Sequence, residues 1–320
     1  IQDVVDASSP CPAPDAPART FIRKNIFFKT PSGIRLNNSG EVAIEHNEFI
    51  EGGDPFNTPI YVEEVAVATM GAAIRIDDSE CFTIRENVLK SPHQHGIVLQ
   101  YSGHPDRHRT RAGFISRNRI GNSFNPLSAL ALPLIADPNA DFVPLPRLEN
   151  PNTDIVPRAL FLKNASDMRI EHNSFAGTRG VAIELRGSQT TGNTFRRNRF
   201  VDTYYGGVWI RTVVGPRNDF GTDADPGLNS FEFHNLRGRD KNRFGLKNDS
   251  SNPISARHNW WGCRESPETY HEDRFSCTTR NPRDPNIMTR ASPILVGERA
   301  GRVDFSEQCN GSPFALDAVC

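Results

Sequence analysis

The chain has no excess of charge of either sign. Its 37 Lys and Arg face 38 Asp and Glu, a net charge of −1 over 320 residues. A general nucleic-acid binder is usually clearly basic, so the balance argues against one. No apolar run approaches the roughly 20 residues needed to cross a bilayer. The chain opens at Ile1 without a charged-then-apolar stretch, so the expectation is a mature form or a piece of a longer protein. No two cysteines form a CxxC pair, which argues against a zinc ribbon. Met and Trp number three each, and hydrophobic residues make up 37%, so the core is modest. Gly and Pro are plentiful, at 24 each, and predict many turns.

Six cysteines are present: Cys11, Cys81, Cys263, Cys277, Cys309 and Cys320. The even number permits three disulfides, and the alternative is six free thiols in a reducing compartment. Four of the six lie in a loop-like C-terminal region that needs staples, which favours disulfides. Local pairing would join Cys263 to Cys277 and Cys309 to Cys320, leaving Cys11 for Cys81.

What the sequence has in abundance is repetition. "IEHNEF" at 44–49 returns as "IEHNSF" at 170–175. The pattern of an apolar residue, two residues, Asn, one residue and an apolar residue places Asn at 25, 47, 87, 118, 173 and 198, with a variant at 259. A second pattern, a small residue followed by apolar–x–apolar, reads "GIRL" at 33–36, "AIRI" at 73–76, "GIVL" at 96–99, "ALFL" at 159–162, "GVAI" at 180–183 and "GVWI" at 207–210. In several units it leads the first pattern by ten residues. Such short strands cannot bury a face alone, but stacked as turns of a coil they can. The asparagines would then pile up at a bend, where Asn tolerates left-handed geometry and its amide can bond the next Asn. A β-sandwich would not repeat one Asn at a fixed offset, and the leucine-rich consensus is absent.

Two C-terminal stretches extend this reading. "DFGTDADPGLNSF" at 219–231 and "ISARHNWWGC" at 254–263 resemble the terminal coils of the right-handed parallel β-helix family, in its secreted bacterial type with an Asn-Trp-Trp-Gly coil. "ASPIL" at 291–295 is similar to the proline-containing segment that ends such domains. The resemblance implies an all-β right-handed parallel β-helix with loop insertions and a disulfide-held C-terminal cap. The expected division is a linker or cap over 1–20, the coil over 21–262 and the cap over 263–320. The family holds lyases, hydrolases, epimerases and adhesins, so the resemblance does not select an activity.

Insertions in a solenoid gather on one face. Residues 52–70 and 124–158 both precede a "GIxL"-type strand, as do shorter segments at 91–95 and 202–206. The working surface is therefore expected on the outside of that sheet. Alternation directs Ile34, Ile74, Ile97, Leu160, Val181 and Val208 inward. It directs Arg35, Asn37, Arg75, Asp77, Val98, Gln100, Phe161, Lys163, Ala182, Glu184, Trp209 and Arg211 outward. Lys163, Glu184 and Arg211 then stand side by side. Should the protein be an enzyme, these three are its catalytic candidates, since a lyase needs a base and a group that neutralises a uronate carboxylate. Trp209, Tyr204, Tyr205, Gln100, Arg75 and His95 are candidates for holding a sugar chain. A plain solvated face with cross-strand ion pairs is the simpler alternative. Asp219, Asp223 and Asp225 are dense enough to hold Ca2+, although a plain turn is the favoured reading. His46, His172 and His258 each precede a ladder Asn and read as bend residues.

The sequence points to an extracellular protein with a structural, adhesive or polysaccharide-binding role, as part of a surface or filament assembly. The alternative is a polysaccharide lyase acting on an acidic glycan along the "GIxL" sheet. Expected partners are a polysaccharide or cell-surface glycan and copies of itself joined at the coil ends, with no nucleic acid and no membrane span.

Overall fold

A computed structural model describes residues 11, 18–28, 30, 32–50, 60–62, 65–67, 71–90, 95–103, 109–121, 158–178, 180–201, 203, 206–232, 244–261, 278–281, 284–290, 294–296 and 303–304. Among these, every regular element is a strand, and three parallel sheets wind into a parallel β-helix. The first sheet stacks Thr20–Arg23, Val42–Glu45, Thr83–Arg85, Phe114–Ser116, Arg169–Glu171 and Thr194–Arg196. The second stacks Ile26–Phe28, Glu48–Ile50, Val88–Lys90, Arg119–Gly121, Ser174–Ala176, Arg199–Val201 and Ser230–Glu232. The third and longest stacks Ile34–Asn37, Ala72–Asp77, His95–Gln100, Arg158–Lys163, Val181–Gly187, Gly206–Val214, Phe244–Asn248 and Ile294–Val296. The last strand comes from the region expected to form the C-terminal cap. No helix among the described residues is long and apolar enough to cross a membrane.

The asparagine pattern marks the bend between the first and second sheets. The residue before each Asn is left-handed: Lys24, His46, Glu86, Arg117, His172, Arg197, Leu228 and His258 all have φ between 49° and 58°. That bend turns the Asn side chain inward along the stack. Asn87, for example, donates its backbone N–H and its Nδ2 to Asn118 Oδ1, both at 3.0 Å. Its Nδ2 also reaches Ile44 O of the preceding coil at 2.9 Å. The same geometry links Asn25, Asn47, Asn87, Asn118, Asn173, Asn198, Asn229 and Asn259. Asn229 is a rung the sequence pattern passes over, because Pro226 occupies the apolar position three residues before it. His46, His172 and His258 are bend residues, as expected.

The core follows the register. Ile22, Ile44, Ile84, Ile115, Ile170 and Phe195 share one level of the first sheet. Phe27, Phe49, Leu89, Ile120, Phe175, Phe200 and Phe231 share one level of the second. Where aromatics meet they lie face to face: Phe175 on Phe200 at 5.1 Å, Phe200 on Phe231 at 4.7 Å and Phe231 on Trp261 at 4.5 Å between centroids. Burying each such ring contributes about 2–3 kcal/mol before ordering costs.

The third sheet corrects one sequence expectation. Ile34, Ile74, Ile97, Leu160, Ile183 and Val208 share a level, so Ile183, and not Val181, is the inward residue of its turn. Val181 pairs with Arg158 and Gly206, and Ala182 joins the core rather than facing out. The pattern's small residue lies against the second sheet at a crowded corner. A Cβ on Gly96 would sit 2.5 Å from Ala159 O and 2.8 Å from Ile120 Cγ2. The matching unit here is therefore Ala182–Leu185, two residues later than "GVAI".

Cys11 and Cys81 form a disulfide with Cα atoms 5.2 Å apart, as expected. Cys263, Cys277, Cys309 and Cys320 lie outside the described residues. Among the described residues no cysteine is free.

Candidate functional site on the outer face of the long sheet

Three outward rows run along the third sheet. One holds Ala72, His95, Arg158, Val181, Gly206 and Phe244. The middle row holds Arg35, Arg75, Val98, Phe161, Glu184, Trp209 and Lys247. The third holds Asn37, Asp77, Gln100, Lys163 and Arg186. Successive residues of a row lie about 4.8 Å apart, the spacing of hydrogen-bonded strands.

The expected trio is spread over these rows. Glu184 is level with Phe161 and Trp209, whereas Lys163 is level with Gln100 and Arg186. Arg211 follows Ile210 in an irregular stretch, where Arg186 alone faces Arg211, Thr212 and Val213 between the paired levels. The three therefore do not stand side by side. Arg211 still reaches back to Glu184, with Nε 3.7 Å from Oε1.

Glu184 is fully buried although it faces outward. Its Oε2 accepts from Arg158 Nε at 2.6 Å, and its Oε1 has no hydrogen-bond partner. Arg158 is equally buried and lies 4.5 Å above the Phe161 ring. Its backbone N–H donates to His95 Nδ1 at 3.2 Å, which fixes the accepting nitrogen of that ring. Burial first, then the positive Arg158 and Arg75, push the His95 pKa down to about 3. His95 is thus a neutral, enclosed acceptor.

Towards the later coils the face opens. Trp209 is half-buried; Arg211 Cζ stands 4.0 Å and Lys247 Nζ 4.7 Å from its ring centroid. Its Nε1–H donates to Asp249 Oδ2 at 2.7 Å, and Lys247 reaches the same oxygen at 3.3 Å. At the early end Arg75 is paired with Asp77 at 2.8 Å, and Arg35 joins it at 3.2 Å. Lys163 is part-exposed, and its ammonium has no partner among the described residues. Gln100 is its neighbour in the row. Tyr204 and Tyr205 lie outside the described residues.

The outward residues of this sheet and its Asp249 extension include the cations Arg35, Arg75, Arg158, Lys163, Arg186, Arg211 and Lys247 against the carboxylates Asp77, Glu184 and Asp249. Among the described residues, positive charge is thus in excess on this face. Sequence reasoning missed Arg158, Arg186 and Lys247. Lys247 sits in "FGLKN", a copy of the strand pattern hidden because Asn248 replaces the second apolar residue.

The aspartates proposed for Ca2+ are not gathered about one point. Arg196 stands between Asp219, at 2.5 Å, and Asp225, at 2.8 Å. Asp223 pairs with Arg257 and with His258 at 3.3 Å. The guanidinium groups hold the places a cation would need. No group of three or more His, Cys, Asp or Glu side chains suited to a metal forms among the described residues.

No family model matches the chain, and no curated protein matches it.

Proposed function

We propose that the outer face of the long sheet binds an extended acidic polysaccharide. The reading rests on one observation. Lys163, whose ammonium has no partner among the described residues, lies two coils from a Trp209 ring braced by Arg211 and Lys247, on a face whose described side chains carry excess positive charge. A linear uronate polymer presents a carboxylate on each sugar at a rise comparable to one coil. Cations repeated at coil spacing can meet those carboxylates in register. The buried Arg158–Glu184 pair beneath holds the surface rigid, so little ordering cost falls on binding. The Cys11–Cys81 disulfide supports an oxidising, extracellular setting. The likeness to secreted parallel β-helix proteins agrees with that setting.

The test is a panel of uronate-containing and neutral polysaccharides, read by Trp fluorescence and by the ultraviolet absorbance of newly formed double bonds. Salt-sensitive binding of uronates alone, without new absorbance, is the expected result. New absorbance that is lost in Lys163→Ala would turn the reading to a lyase with Lys163 as base. Equal affinity for neutral glucans would refute charge-directed recognition.

A further inference from the structure

The first coil forms one end of all three sheets. Among the described residues, Thr20–Arg23, Ile26–Phe28 and Ile34–Asn37 are each the terminal strand of a sheet and pair with a strand on one side only. In a parallel ladder alternate residues direct their N–H and C=O groups to opposite neighbours, so each of these strands directs about half of them to a side where no described strand lies. The core is open there too. Ile22, Phe27 and Leu36 are only part-buried, whereas their partners Ile44, Phe49 and Ile76 are fully enclosed. Ile26 is 70% exposed, Phe28 59% and Phe21 45%. The asparagine ladder also stops with an open acceptor. Asn47 Oδ1 takes two donors from Asn25, but no described residue donates to Asn25 Oδ1.

The charge of this coil selects an occupant. From Ala18 to Gly40 the chain carries Arg19, Arg23, Lys24, Lys29 and Arg35 and no Asp or Glu. Arg19 and Arg35 are met by Glu41 and Asp77 of the next coil. Arg23 lies over the Phe21 ring, and neither Arg23 nor Lys24 has a carboxylate partner among the described residues. A second copy docked end to end would face these cations with the same cations. A head-to-tail copy would need an open opposite end. There Trp261, the last described ring of the aromatic column, is fully buried, so that end offers no open core.

We infer that this edge is a strand-addition site for an extended peptide segment in which apolar and acidic residues alternate. Its apolar side chains would continue the columns of Ile22, Phe27 or Leu36. Its carboxylates would meet Arg23 and Lys24, and its backbone would complete the open ladder.

The test uses a fluorescent peptide of about eight residues, a usual strand length, alternating Val with Glu. The controls are the same peptide with Lys for Glu and with a central Pro. Hydrogen exchange of the intact 320-residue chain should show new protection at Phe21–Arg23, Ile26–Phe28 or Ile34–Asn37 with the acidic peptide alone. The double variant Arg23→Glu with Lys24→Glu, which keeps all core contacts, should weaken binding about tenfold or more. No binding, affinity unchanged in that variant, or protection appearing elsewhere would each overturn the inference. Binding seen only after removal of residues 1–10, whose charged side chains are Asp3 and Asp6, would give the edge to the chain's own segment and overturn it equally. Concentration-dependent dimers abolished by Ile26→Asp would assign the edge to a second copy and overturn it as well.

Discussion

His95 shows how far one residue is governed by its surroundings. It is enclosed beside Arg158, accepts a backbone N–H, and has its pKa pushed down to about 3 from an ordinary 6.5. Between those values the unfolded chain takes up a proton that the folded one refuses. Stability from this group is therefore complete above about pH 6.5 and falls as the pH drops towards 3, with a slope approaching 1.4 kcal/mol per pH unit. Urea unfolding at pH 7 and pH 5 should show this component in the wild type and not in His95→Gln. The bend residues give a second residue-scale expectation. His172 holds φ at 56°, which a side chain with a branched β-carbon resists. His172→Gly should be neutral or stabilising by up to about 1 kcal/mol, and His172→Val destabilising by about 1–2 kcal/mol, in the same assay.

At the scale of the element, each ladder Asn serves two coils. Asn118 is fully buried, donates to Asn173 Oδ1 and Ile84 O, and accepts both donors of Asn87. Asn118→Ala would strand several buried groups and should cost about 2–4 kcal/mol in thermal or urea unfolding. Asn25→Ala, at the exposed end, should cost under about 1 kcal/mol. Equal costs would contradict the ladder's role. The ladder was the most legible feature of the sequence, because a left-handed bend with a stacking amide admits few residues besides Asn. The long-sheet strands were less legible. Their inward corner accepts Gly or Ala alike, so "GVAI" fits the pattern two residues before the unit that occupies the corner, and Val181 lies in an outward row. The same two-residue offset places Arg186, and not Glu184, beside Lys163. Burial of outward Phe161 and Glu184 was invisible to alternation, which gives direction but not cover.

At the scale of the whole molecule, the fold is a column whose turns contact mainly their neighbours, so local stability varies along it. The Cys11–Cys81 disulfide spans 70 residues and ties the early coils together. Loop-closure entropy assigns such a bridge about 4 kcal/mol. Reduction should lower the unfolding midpoint and expose the first coils to exchange before the later ones. The arrangement of charge was only partly legible at this scale. A net charge of −1 gives no hint that the described residues of one face carry excess positive charge, since that excess arises from which alternating positions the register turns outward.

The most direct test of the proposed recognition is a calorimetric titration of polygalacturonate into the wild type, Lys163→Glu and Arg119→Glu. Arg119 is an exposed cation on the outside of the second sheet, so its variant makes the same change in net charge on a different face. Loss of affinity of about tenfold or more in Lys163→Glu, with Arg119→Glu close to wild type, is the predicted result. Equal losses in the two variants, or none in either, would contradict a binding face on the long sheet.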